Sequence, residues 1–160
     1  MRYYKFLTAD NKGAYSDFDF TDYLPVGDNP GMWLPEIQGD LMLCKNGYHA
    51  TDSDHLLNWR NAQLFEVELA GAIETGDDKC AASRIRFIRK IETWNDETLK
   101  AFILWIANGD EEEATSYIAA RAATWDAARA AASADAWADA WDVAWDAQNK
   151  HLAEMLGLDG

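Results

Sequence analysis

Four side chains could hold a metal or attack an electrophile: Cys44, His49, His55 and Cys80. A zinc centre draws its ligands in close pairs, so that two short loops close one tetrahedron. The gaps here are 5, 6 and 25 residues and match no such pairing. Two buried thiols and two ordinary histidines account for the set, and neither metal nor cofactor is expected. A nucleophilic Cys44 with His49 as its base is the other chemistry these types allow. No further residue supplies the group that would orient the imidazole. The one basic cluster is Arg84, Arg86, Arg89 and Lys90. Arg84 and Arg86 share a strand face and could hold a phosphate or pair with the acidic tail. In so negative a chain, internal pairing is the expected use.

Carboxylates dominate the chemistry. The 160 residues carry 28 acids against 14 bases, a formal net charge of −14. Up to Gly109 there are 17 acids and 11 bases; beyond it, 11 and 3. Such a field repels nucleic acid and anionic membranes and favours basic partners. Asp17, Asp19, Asp22 and Asp28 form one group, and Asp135, Asp139, Asp142 and Asp146 a second. Acidic surfaces commonly serve solubility alone. The even spacing of the second group also fits a docking stripe for Lys and Arg, or a row that mimics phosphates. These eight aspartates are the expected partner-binding residues.

The element that must carry the second group is a long Ala-rich helix. No Gly or Pro falls between Glu111 and Leu156, and Ala is the strongest helix former. Trp137, Trp141 and Trp145 recur at i, i+4 and i+8 and form one indole ridge that must be buried. A single helix from 110 to 156 would run ~70 Å, so a reversal is expected near Ala131–Ala134, with Ser133 as cap. Ahead of it, Asn95 or Asp96 caps a helix whose apolar set is Leu99, Phe102, Ile103 and Ile106.

Before residue 93 the period is two. Tyr3–Leu7, Asp17–Phe20, Leu41–Cys44, Gln63–Leu69 and Arg84–Phe87 read as strands, with Gly71 closing the fourth. Phe18 and Phe20 are expected inward, with Asp17 and Asp19 outward. Residues 24–39 hold all three prolines and three glycines and read as a loop, pinned by Trp33. A short helix follows Thr51, Asp52 or Ser53 as cap. The predicted fold is α+β: a small N-terminal mixed β-sheet with a short helix over 1–92, then an α-helical hairpin or bundle over 93–160 packed on it as one compact unit. No apolar run is long enough for a bilayer helix, no leader is evident, and a reducing cytoplasm is expected.

Three segments also carry a resemblance. Leu43-Cys44-Lys45-Asn46-Gly47-Tyr48-His49-Ala50, Phe65-Glu66-Val67-Glu68-Leu69-Ala70-Gly71 and Asp78-Lys79-Cys80-Ala81-Ala82-Ser83-Arg84-Ile85 resemble an uncharacterised domain of bacteriophage and bacterial genomes. That family shows a Cys-x-x-Gly-aromatic-His-Ala core, a Val-Glu strand ending in Gly and an Asp-Lys-x-Ala-Ala-Ser segment. The likeness covers about residues 41–91 and imports no activity. The Ala/Trp/Asp tail is similar to helical tails of immunity-type proteins of mobile elements. Gly47-Tyr48-His49-Ala50, the helix after it and Leu64–Gly71 also follow the order of the ADP-ribosyltransferase fold. That likeness implies Tyr48 stacked on the nicotinamide of NAD with His49 or Glu66 nearby, or a non-catalytic version of the fold. The first strand lacks the expected His and Arg-Gly, and no late strand offers a catalytic Glu.

Taken together, these features lead to an expectation of an acidic, non-enzymatic phage or mobile-element protein. It would inhibit a host partner with a basic surface, such as a CRISPR effector or other nucleic-acid-binding defence complex. The alternatives are an NAD-dependent ADP-ribosyltransferase-like enzyme, and an immunity or structural protein that oligomerises through its Trp-rich helices.

Overall fold

The computed structural model describes residues 2–106 and 135–158, the second stretch with side chains from Trp145 onward. The chain divides into two compact units, Met1–Glu92 and Thr93–Gly160. The architecture is α+β.

The first unit is a four-stranded sheet: β1 (Tyr3–Leu7), β2 (Tyr48–Ala50), β3 (Gln63–Thr75) and β4 (Cys80–Lys90), in the order β1-β3-β4-β2. Every pairing is antiparallel, which corrects the expected mixed sheet. The reason lies in the connections. β3 and β4 are joined by a tight turn in which the Gly76 N–H donates to Lys79 O at 2.8 Å. Among the described residues, no regular α-helix precedes β4 to make a parallel crossover. The sheet curls until its two edges meet: Tyr4 and Thr51 exchange N–H···O bonds of 2.7 and 2.8 Å.

Alternation assigns the two faces of the strands. Leu7, Phe65, Val67, Ile85, Phe87, Tyr48 and Cys80 form one buried cluster, which Phe20 and Leu34 cover from the connection between β1 and β2. Burying several large apolar side chains together supplies the main stabilisation of a unit this size. Residues 31–37 run along β4, where the N–H groups of Gly31, Leu34 and Ile37 donate to Phe87, Ile85 and Ser83 carbonyls at 2.8–2.9 Å. The loop therefore covers an edge that would otherwise invite another chain.

Three further expectations change. Gly71 does not end β3; it makes a bulge. Its φ is +75°, and a Cβ there would lie 2.1 Å from Ser83 Oγ, the oxygen that accepts the Ala72 N–H. The register shifts between Ala70 and Ile73, and the strand runs on to Thr75. Leu41–Cys44 is a turn and not a strand, because Asn46 folds back to bond Met42 in both directions. Asp17–Phe20 is not a strand either. Phe20 is buried while Phe18 is exposed, and the two rings lie 4.8 Å apart on one side of the chain. The short helix is a 3-10 turn over Ser53–Asn58, capped by Asp52, whose carboxylate accepts the Asp54 N–H at 3.1 Å.

In the second unit α1 spans Asp96–Ile106, with Asn95 Oδ1 accepting the Thr98 N–H at 3.0 Å as its cap. Helix α2 spans Asp135–Leu156. It ends in paired bonds from Gly157 N–H to Glu154 O and from Leu158 N–H to Ala153 O, the Schellman arrangement that absorbs the last carbonyls. Inside this unit the two helices touch through Trp105, which stacks on His151 with centroids 4.0 Å apart. The expected cap at Ser133 and the side chains of Trp137 and Trp141 lie outside the described residues; Trp145 is half-buried.

Candidate functional site

The Cys-x-x-Gly-aromatic-His segment is built as a clipped turn. Cys44 sits at φ +68°, a conformation that few L residues adopt unaided. Its N–H donates to His49 Nε2 at 2.8 Å, and a bond to the Gly47 backbone involves the same ring. The imidazole lone pair is thus used to hold a backbone amide, and it does not face the Cys44 sulfur as a base would. Burial, followed by the Lys5 and Lys79 charges, pushes the His49 pKa below its ordinary value. Neutral His49 is the form this bond requires. The second thiol, Cys80, is buried and its pKa is raised by that burial. Cys44 is exposed, correcting the expectation of two buried thiols: it stands at the tip of the turn that the motif creates.

Tyr48, His49 and Glu66 are not brought together. The Tyr48 ring lies in the core and its hydroxyl donates to Pro35 O at 2.7 Å. No ring face is left for a nicotinamide to stack on. Glu66 falls between Phe65 and Val67 on the opposite face of β3, beside the guanidinium groups of Arg89 at 2.7 Å and Arg2 at 4.0 Å. Among the described residues, no three His, Cys, Asp or Glu side chains are grouped to hold a metal ion. A depression of about 440 Å³ lies between the 36–41 loop and Ala72–Glu74, lined by carboxylates of Glu36, Asp40 and Glu74.

Three members of the basic cluster, Arg84, Arg86 and Arg89, are engaged within the first unit. Arg86 grips Glu68 Oε2 through both Nε and a terminal nitrogen, and Arg89 pairs with Glu66, each from the neighbouring strand. Arg84 and Arg86 also lie over the Trp33 ring at 4.9 and 5.0 Å. Sequence reasoning overlooked Lys5. Its position on β1 alternates with Tyr4 and Phe6, which turns it to the core face. There its Nζ donates to His49 O at 2.7 Å and lies 5.3 Å from the Phe20 ring centre. Burial lowers its pKa to about 8. A lysine inside a period-two aromatic strand was the available signal.

The aspartates have a different environment. Asp17, Asp19, Asp22 and Asp28 are all exposed, as is Asp146. Among the described residues none of these five makes an ion pair. Asp19 accepts the Thr21 N–H at 2.9 Å, and hydrogen bonds from Thr21 hold its pKa below the usual carboxylate value. It is ionised at neutral pH. The side chains of Asp135, Asp139 and Asp142 lie outside the described residues.

Against family models, curated proteins and solved structures, the chain matches none. Its function has to be argued from its own residues. Those residues form a structural clip where the sequence offered a catalytic pair, and at Asp17, Asp19, Asp22 and Asp28 exposed carboxylates with no ion pair among the described residues. Among the described residues, no helix is long and apolar enough to cross a membrane.

Proposed function

We propose that this chain is an acidic binding protein of phage or mobile-element type and not an enzyme. In this reading it acts in the host cytoplasm and occupies the basic, nucleic-acid-binding surface of a host defence complex. Carboxylates meet Lys and Arg where phosphates would otherwise sit. The C-terminal helices, read as a hairpin reversing near Ser133, would carry the second aspartate row.

The observation that carries the reading is the allocation of charge. Arg2, Arg86 and Arg89 are held by Glu66 and Glu68, and Lys12 by Asp10. The aspartates at 17, 19, 22 and 28 face solvent with no ion pair among the described residues. The test is capture of a partner from host lysate on immobilised chain, followed by salt and nucleic-acid challenge. The expected partner elutes as ionic strength rises and is displaced by duplex DNA or RNA. Capture that persists undiminished at high salt, or that nucleic acid leaves untouched, overturns the reading.

A further inference from the structure

Between Lys12 and Lys45 the chain contains no Lys or Arg, while it carries the carboxylates of Asp17, Asp19, Asp22, Asp28, Glu36 and Asp40. The same stretch holds most of the exposed large apolar side chains among the described residues. Tyr15 is 86% exposed, Val26 77%, Met32 66% and Phe18 41%. Single exposed apolar groups are ordinary, but several close together within an acidic rim mark a contact surface.

These side chains fall within one stretch of chain, and its aromatic rings cluster. The Phe18 ring lies 4.8 Å from Phe20 and 6.2 Å from Tyr23. Gly31 presses on the Tyr23 carbonyl so closely that a Cβ would stand 1.9 Å from its oxygen, so the backbone just before Met32 lies against that of Tyr23. Phe18 and Tyr23 are therefore neighbours, with Asp17, Asp19 and Asp22 close to them in sequence. The platform beneath is fixed: Phe20 packs edge-on against Phe87 at 5.5 Å, and residues 31–37 are bonded to β4. A contact surface held this way loses little freedom on binding.

We infer that residues 15–32 form the partner-contacting face, and that its occupant is a cationic amphipathic segment of a protein, with Lys or Arg interleaved with large apolar side chains. This rests on the acidic-binder reading above and adds the apolar anchor, the location and the partner chemistry. Apolar anchors ringed by charge give affinity at the centre and orientation at the rim. Charge complementarity selects the occupant. The carboxylates repel nucleic acid, anionic lipid and a second copy of this same face, and they attract a cation-bearing one.

The test uses the full chain and three peptides of equal length: Lys/Leu, Lys/Ser and Glu/Leu. Binding is measured by titration and located by amide chemical shifts. The Lys/Leu peptide is expected to bind roughly tenfold tighter than Lys/Ser, moving signals of residues 15–32. The triple variant Y15S/V26S/M32S, altered only at exposed positions, should remove that advantage and leave Lys/Ser binding unchanged. The variant D17N/D19N/D22N/D28N should weaken both cationic peptides. Equal binding of Lys/Leu and Lys/Ser overturns the anchor while the acidic reading stands; no binding of either overturns both. Binding of Glu/Leu as tight as Lys/Leu, shifts confined to residues 96–158, or self-association lost in the triple variant each overturn this assignment.

Discussion

Lys5 gives the sharpest quantitative check on the core of the first unit. Its ammonium sits on the buried face of the sheet with one carbonyl and one ring for company, and its pKa falls to about 8 from an ordinary 10.5. At pH 7 both the folded and the unfolded chain carry the proton, and the folded state bears the whole burial penalty. Two and a half units correspond to about 3 kcal/mol. As pH rises past 8 the folded chain releases its proton before the unfolded chain does, so stability rises until about 10.5. Integrating between pH 7 and 9.5 gives a gain of about 2 kcal/mol. The control is Lys5→Met, which keeps the length and apolar stem without the charge. Urea unfolding would be followed at the amide signals of β3, at constant ionic strength. The difference in unfolding free energy, wild type minus K5M, should climb by about 2 kcal/mol across that range. Tyr3, Tyr4 and Tyr48, all raised by burial, act above the window and in both proteins. Parallel curves for the two proteins would refute the placement of the Lys5 ammonium on the inner face of the sheet.

Two further outcomes test the clip and the bulge. His49→Ala should destabilise the first unit by about 1–2 kcal/mol, the cost of leaving a constrained backbone amide unpaired. Because the folded His49 pKa is depressed, its contribution is complete above the unfolded value of about 6.5 and fades as pH falls through the folded one. Unfolding midpoints of wild type and H49A at pH 7.5 and 5 should therefore converge at the lower pH. Gly71→Ala places a methyl 2.1 Å from Ser83 Oγ at φ +75°, and should cost about 2–3 kcal/mol in urea melts. The double variant G71A/S83A should recover only part of that loss, since removing the hydroxyl leaves the strained φ; full recovery would mean that φ strain contributes nothing.

Local sequence signals located most of the strands and both described helices, because each carries its own period. Tyr3–Leu7 and Arg84–Phe87 read as strands, and the Asn95 cap with Leu99, Phe102 and Ile106 read as a helix. What failed to show locally was whatever depends on contacts distant in sequence. Gly71 looks like a stop from its neighbours, and only Ser83, twelve residues on, makes it a bulge. Leu41–Cys44 has strand composition, but the return of Asn46 to Met42 closes it into a turn. The parallel or antiparallel sense of the sheet is set by connection geometry, to which hydrophobic pattern is blind. Trp33 was legible as a loop anchor, although its partners Arg84 and Arg86 were not. The exposure of Asp17, Asp19, Asp22 and Asp28 was legible, because charge is a property of the residues themselves. At Cys44 and His49 the sequence was misleading, because residue types that suit catalysis also suit holding a strained turn.

The conspicuous Cys44–His49 motif works as a fastener. A nucleophile and base need the imidazole nitrogen aimed at sulfur; here Nε2 is occupied by the Cys44 amide, and the His49 carbonyl is occupied by Lys5. Tyr48 spends its hydroxyl on Pro35, which ties the proline-rich loop to the sheet. Cys44, Tyr48 and His49 thus cooperate to fasten the connection between residues 35 and 50 to β2, the edge strand that pairs with β4. Fixing that connection also fixes the segment ahead of it, residues 13–37, which carries exposed acids and apolar groups but no Lys or Arg. The strongest pattern in the sequence and the most distinctive surface are therefore linked mechanically. The motif supplies rigidity, and the unpatterned loop it steadies carries the exposed carboxylates and apolar groups on which the proposed contact rests.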